Sequence, residues 1–282
     1  MRLICDRDQT EGPRVLVLGM FDGVHAGHRA LIRTAKAEAG QLGIPLQVCT
    51  FDPHPLRVVR PQTAPKLLHT PEEKAEVMGR LGVDELRVIR FSEELAGMSP
   101  EKFLELLCSW SRPAAVHVGW NYTFGRGGTG NAGTLEAAGE AFGFRTRVHP
   151  PVRAENGMTV SSSVIRSMLL QGQAEDAAAL LEEPYPVTGT AVETTRRDGE
   201  TERTGTGILL NEWKLMPKDG LYDCEAETKE ANWKCLIRFG MGRAMGQEGL
   251  PTGVWLRTDS RVRPGERIRI RVLRAVNGTG MA

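Results

Sequence analysis

The stretch Val15 to Leu31, VLVLGMFDGVHAGHRAL, decides the fold. Val15, Leu16, Val17 and Leu18 form an unbroken apolar run, the pattern of a strand buried on both faces, as in a parallel sheet. Gly19 and Gly23 end that run, and a glycine there lets the backbone turn sharply or come close to a ligand. Open α/β sheets bind ligands at the carboxyl ends of their strands. A helix beginning near His25 would aim its free N–H groups and positive dipole end at an anion in that place. His25 and His28, three residues apart, share one helix face, and Gly27 between them leaves room for a phosphate or a base. Taken alone, an HxxH pair reads rather as a metal pair or as two surface histidines. Against the metal, neither a glutamate nor a third ligand stands at zinc-like spacing.

Outward from this stretch, strands and helices alternate. The first helix is expected to run to Ala39 before Gly40, and PLQVCTF, Pro45 to Phe51, reads as a second buried strand. It ends in Asp52-Pro53-His54-Pro55, a stiff loop on the ligand side of the sheet. Thr70-Pro71-Glu72-Glu73 carries the signs of a helix start: a capping threonine, a proline at the first position and acids in the first turn. The amphipathic stretch after it continues to Leu81. LRVIRF (86–91) and AAVHVGW (114–120) are further strands, separated by a helix from Ser99 through Leu107. Glycine-rich GWNYTFGRGGTGN follows, and its place at a strand's carboxyl end favours substrate binding over a plain flexible loop. A strand at 144–148, a helix opened by Ser161-Ser162-Ser163 and a helix from Gln173 to Leu181 complete this half. The serines cap free N–H groups, and with Arg166 one turn later they also make an anion site. The alternation predicts a Rossmann-like, doubly wound parallel sheet. Beyond Pro186 the runs shorten and alternate between Gly, Pro and charged turns, an antiparallel β pattern. Domains are therefore expected at 1–184 and 185–282.

Composition narrows the function. A chain of 282 residues fits two domains at about 150 residues each. With 40% hydrophobic and 25% charged residues it is an ordinary globular protein. A formal net charge of +1 argues against a nucleic-acid binder working through a basic field. The amino terminus is too polar for a signal peptide, and no apolar run approaches the roughly 18–20 residues that span a bilayer. Cys5, Cys49, Cys108, Cys224 and Cys235 are scattered and odd in number, which suggests reduced thiols and a cytoplasmic protein without membrane or nucleic-acid partners.

The string GMFDGVHAGH resembles the HxGH signature of the nucleotidylyltransferase superfamily, in the GxFDGVHxGH form of bacterial bifunctional riboflavin kinase/FAD synthetases. TFDPHP (50–55), the GWNYTFG loop and SSSVIR (161–166) resemble, in order, that family's TFDPHP, VGxNFxFG and SSTxIR segments, with Ser163 in place of the threonine. The resemblance implies an FMN adenylyltransferase with ATP and FMN as substrates and Mg arriving with the ATP, without a dedicated protein cage. It implies catalytic roles for His25, His28, Ser163 and Arg166, and nucleotide binding by Gly19, Phe21, Asp22, Gly23, Gly27, Ser161 and Ser162. Asp22 is left between a nucleotide contact and a helix cap. Phe51, Asp52, His54, Pro55, Asn121, Phe124 and Arg126 would take the flavin or its phosphate.

In the second half the family has a small six-stranded riboflavin kinase barrel, and LMPKDGLYDCEAE resembles its LPxxGVYxVxV strand. The kinase elements are altered. The PTAN element falls on Gly205-Thr206-Gly207-Ile208, its lead-in on 194–200, and the strand of the catalytic glutamate on 251–256, with Gly253 and Val254. The family's closing helix is not found. Riboflavin phosphorylation is therefore expected to be lost, leaving the barrel a structural, dimerising or ligand-sensing role and homo-oligomerisation open. Two alternatives stand beside FAD synthesis: adenylyl transfer to another phosphorylated acceptor, and a non-catalytic flavin or nucleotide sensor.

Overall fold

The computed structural model describes residues 1–5, 8–198, 201–245, 251–256 and 262–276. The chain divides into two compact units, one of residues 1–65 and 74–160, the other of 66–73 and 161–282.

The first unit holds β1 (Arg2–Ile4), β2 (Arg14–Leu18), α1 (Ala26–Leu42), β3 (Leu46–Asp52), α2 (Pro55–Val59) and most of α3 (Pro71–Arg80). It continues through β4 (Glu85–Arg90), α4 (Glu93–Ala96), α5 (Pro100–Ser111), β5 (Pro113–Gly119), α6 (Ala132–Phe142) and β6 (Arg145–His149). The six strands pair in the order β1-β4-β3-β2-β5-β6, and every pairing is parallel. From β2 the chain first winds one way, through β3 and β4, and then returns to the other side of β2 with β5 and β6. The switch point is thus the carboxyl end of β2, the ligand-binding crevice of such sheets.

The apolar run of β2 is buried on both faces, as its sequence requires. Val15 and Val17 face a core with Leu31, Ile32 and Ala35 of α1 and Val77 and Met78 of α3. Leu16 and Leu18 face the opposite core, with Phe103, Leu104 and Leu107 of α5. At the sheet's amino end lies a buried polar network. Arg14 Nε donates to Glu85 (3.0 Å), Gln47 Nε2 to Glu85 (2.8 Å), and the fully buried Arg87 to the Gln47 side chain (3.2 Å) and the Asp8 carbonyl (2.8 Å).

The second unit contains α7 (Ser162–Gln171), α8 (Ala174–Leu181), β7 (Tyr185–Asp198), β8 (Thr201–Leu210), β9 (Gly220–Glu227), β10 (Asn232–Met245), β11 (Pro251–Leu256) and β12 (Arg267–Ala275). Its strands close an antiparallel barrel in the order β10-β11-β8-β7-β12-β9, with β9 returning to β10. Helix α8 buries Ala177, Leu180 and Leu181 and packs on β12 and β7. Packing therefore divides the chain after Val160, whereas the change in sequence texture comes after Pro186. Residues 66–73 also belong here: the Leu67 N–H donates to the Trp213 carbonyl (2.7 Å), and the Leu215 N–H to that of Leu67 (2.8 Å).

Candidate active site

The loop from β2 to α1 holds two non-glycine residues in the left-handed region. Phe21 and Val24 have positive φ of 50° and 39°, on either side of Gly23 at 87°. A branched residue at positive φ costs on the order of 1–3 kcal/mol and persists only where its surroundings impose it. Here the buried Arg29 of α1 imposes it, donating from Nε to the Val24 carbonyl at 2.9 Å. Gly19 has a steric reason: a Cβ there would lie 2.8 Å from the Phe21 ring.

His25 is the N-cap residue of α1, so Asp22 does not occupy the cap. The His25 and His28 rings stack at 3.7 Å between centroids and 18° between planes, and Phe21 meets His28 edge-on at 5.1 Å. The space beside Gly27 goes to a histidine: a Cβ there would touch the His25 ring at 3.2 Å. His25 is buried, and its Nδ1 has no hydrogen-bond partner among the described residues. Burial pulls its pKa down to about 4, against the opposing pull of the Asp22 carboxylate. At neutral pH His25 is therefore an uncharged imidazole with one unengaged buried nitrogen, at a helix N-terminus that favours anions.

The neighbouring strand β3 brings TFDPHP to the same end of the sheet. The Phe51 ring meets Phe91 edge-on at 5.6 Å, and the Asp52–Pro53 peptide bond is cis. The expected stiff loop is shorter than its sequence suggests, because Pro55 opens the helix α2, and His54 caps it by accepting the Leu56 N–H on Nδ1 at 3.2 Å. Proline at the first helical position gives up an N–H that no helix uses.

Past β5, Asn121 and Arg126 are exposed, while Phe124 is buried in the core with Phe103 at 5.7 Å and Tyr122 stacked on it, also at 5.7 Å. Phe124 and Gly130 exchange backbone hydrogen bonds of 3.1 and 2.9 Å that close the glycine-rich loop on itself. In the second unit, Ser161 caps α7 by accepting the Val164 N–H at 3.3 Å, with Ser162 and Ser163 in the first turn. Arg166 Nε donates to the Lys66 carbonyl at 2.9 Å. In the barrel, Ile208 is fully buried and Val254 nearly so; Gly199 and Glu200 of the altered lead-in lie outside the described residues.

Arg29 and Lys74 are the site-end residues that motif reading misses. Lys74 was detectable: it falls at helical spacing with the apolar stripe of Val77, Met78 and Leu81, where a lysine is out of place.

A switch-point loop that joins stacked histidines to a helix N-terminus, on an all-parallel sheet, makes an anion site of the kind that nucleotide-binding α/β proteins use, and the relatives' names put it in the nucleotidyltransferase class. A family model described as FAD synthetase matches residues 7–164, and the chain belongs to that family. The protein named bifunctional riboflavin kinase/FMN adenylyltransferase of Listeria monocytogenes is 36% identical over 76% of this chain and 68% of its own length. Its namesake of Bacillus subtilis is 33% identical over 82% and 73%, and that of Escherichia coli K12 is 32% identical over 75% and 67%. A solved structure described as a macrolide-efflux protein of Streptococcus pneumoniae is 25% identical, with a TM-score of 0.81 over 100% of this chain and 93% of that one. Among the described residues of the present chain, no helix is long and apolar enough to cross a membrane.

Proposed function

We propose that this chain transfers AMP from ATP to FMN, forming FAD and pyrophosphate, and that it does not phosphorylate riboflavin. A phosphate oxygen of FMN attacks the α-phosphorus, the bond to the β-phosphate breaks, and pyrophosphate leaves. Such a transfer asks the protein for positioning and charge stabilisation rather than covalent chemistry. The observation that carries the reading is the stacked His25–His28 pair at the N-terminus of α1, at the sheet's switch point. The two imidazoles and the helix N-terminus stabilise charge on the reacting phosphates. On their motif, Ser162, Ser163 and Arg166 are assigned to the β- and γ-phosphates, and Asp52, His54 and Asn121 to the acceptor side. Mg is assigned to the incoming triphosphate, because this ion keeps several waters and binds largely through substrate phosphates.

Loss of the kinase reaction is supported by the buried Ile208, where the family's asparagine corresponds, and by the buried Val254, on the strand that corresponds to the one carrying its glutamate. By motif, residues 1–184 are the adenylyltransferase part and 185–282 the altered kinase part. The test is a chromatographic assay of the purified protein with Mg-ATP and either FMN or riboflavin. FAD from FMN and no FMN from riboflavin is expected, and His28→Ala should abolish turnover while the far-ultraviolet circular dichroism stays unchanged. FAD formation near the normal rate by His28→Ala would refute the assignment, as would phosphorylation of riboflavin for the kinase half. Consumption of ATP with a different phosphorylated acceptor would move the acceptor assignment alone.

A further inference from the structure

Lys74 of α3 is buried at the carboxyl ends of β2 and β3, where its ammonium reaches both strands' ends. Its Nζ donates to the Met20 carbonyl at 2.8 Å and to Thr50 Oγ1 at 3.1 Å, and Thr50 Oγ1 donates to the same Met20 carbonyl at 2.9 Å. Met20 stands directly before the strained Phe21-Asp22-Gly23-Val24 turn, and Thr50 directly before Phe51-Asp52. One ammonium thus ties the backbone of the histidine loop to the strand that leads into TFDPHP. The carboxylates acting on it come one from each loop, Asp22 and Asp52. A lysine is an expensive tie in a dry place, where a threonine or an asparagine could bridge a carbonyl and a hydroxyl without carrying a charge.

We infer that Lys74 is a positioning residue of the transfer reaction, whose charge holds the β2–α1 loop against β3 and balances Asp22 and Asp52, so that the histidine loop and the acceptor loop keep one mutual geometry. The inference rests on the proposed FAD synthesis. Its electrostatic part draws support from burial, which brings the ammonium's pKa down to about 8 even against the two carboxylates. The charge is therefore held only up to mildly alkaline pH, which gives it a signature that a packing role lacks.

The experiment compares the wild type with Lys74→Met, Lys74→Arg and Thr50→Val, in Mg-ATP and FMN, over pH 6.5 to 9.5, with thermal midpoints measured alongside. Displacing the loop by a fraction of its hydrogen-bond length is expected to lower kcat of Lys74→Met by about a hundredfold, with the protein still folded. The wild-type rate should fall as pH rises through about 8. That alkaline limb should move to higher pH in Lys74→Arg, with part of kcat recovered, and be absent from Lys74→Met. Thr50→Val keeps the lysine but removes one acceptor of its protons, and its limb should move to lower pH; it carries the test if Lys74→Met does not fold. Normal kcat in Lys74→Met, or an unmoved limb in both Lys74→Arg and Thr50→Val, overturns the inference while the wild type's FAD synthesis stands. A wild type that makes no FAD overturns the functional reading and the inference with it.

Discussion

His25→Gln should make the protein less sensitive to acid, by an amount that follows from the burial of one ring. An exposed histidine titrates near 6.5, whereas burial holds His25 at about 4 in the folded chain. Between those values the unfolded chain binds a proton that the folded chain refuses, so stability is full above pH 6.5 and is lost as pH falls toward 4. At about 1.4 kcal/mol for each tenfold in proton affinity, the whole loss is about 3 kcal/mol, and about 2 kcal/mol of it is already present at pH 5. Glutamine keeps the planar polar shape and cannot take the proton. The unfolding free energy of His25→Gln should therefore rise relative to wild type by about 2 kcal/mol between pH 7 and pH 5, whatever its offset at pH 7. His117, also drawn down to about 4 by burial and by its neighbour His149 against the pull of Glu38, is present in both proteins and cancels. Urea titrations at the two pH values, followed by tryptophan fluorescence, measure the difference. Parallel loss of stability in the two proteins would show that the His25 ring is hydrated and refute the reasoning.

Further expectations concern packing. Lys214 Nζ is buried against Glu73 at 2.6 Å and the Leu68 carbonyl at 2.6 Å, while Glu73 also accepts the Thr188 N–H at 2.8 Å. Lys214→Met should cost about 3–5 kcal/mol, because it leaves a carboxylate buried without its counter-charge; a loss below about 1 kcal/mol by urea titration would contradict that burial. Two glycines inside helices should respond with opposite signs in the same assay. Gly139→Ala would place a Cβ 2.5 Å from the Phe144 carbonyl and should destabilise by about 1–3 kcal/mol. Gly40→Ala meets nothing within 4 Å and should stabilise by about 0.5–1 kcal/mol.

Much of this molecule can be read from its residues, and the places where reading fails share a cause. The run Val15–Leu18 had to be a doubly buried strand, since no other element hides four adjacent apolar side chains so economically. The helix after it continues past Gly40 to Leu42, because Gly43, at φ 65°, is the residue that takes the left-handed cap. Helix α6 escapes a reading by propensity: Gly133 and Gly139 weaken it. Yet the close approach of Phe144 excludes any larger residue at 139, and an Asn131–Thr134 capping box secures the start. In β4, Glu85 and Arg87 look like an outward polar face but are both buried, each satisfied by partners from elsewhere in the chain. Lys74 is hidden from motif reading for the same reason. Local sequence reports periodicity and caps, whereas the partner that makes a buried charge tolerable lies tens of residues away. The histidine motif was legible; of the lysine that underlies its loop, periodicity shows the place on the apolar stripe of α3 but not the partners.

The segment 66–73 gives the second unit a genetic peculiarity. Its residues are encoded within the first half of the chain, yet they supply the carboxylate that neutralises a lysine buried in the later half. The barrel and its helices are consequently not a portable module. A fragment started at Ser161, or at the motif boundary near Tyr185, would expose the groups that Leu67 and Leu215 join and strand the charge of Lys214. Recombination that shuffled the two halves at either boundary would have to carry those eight residues across, or replace the lysine.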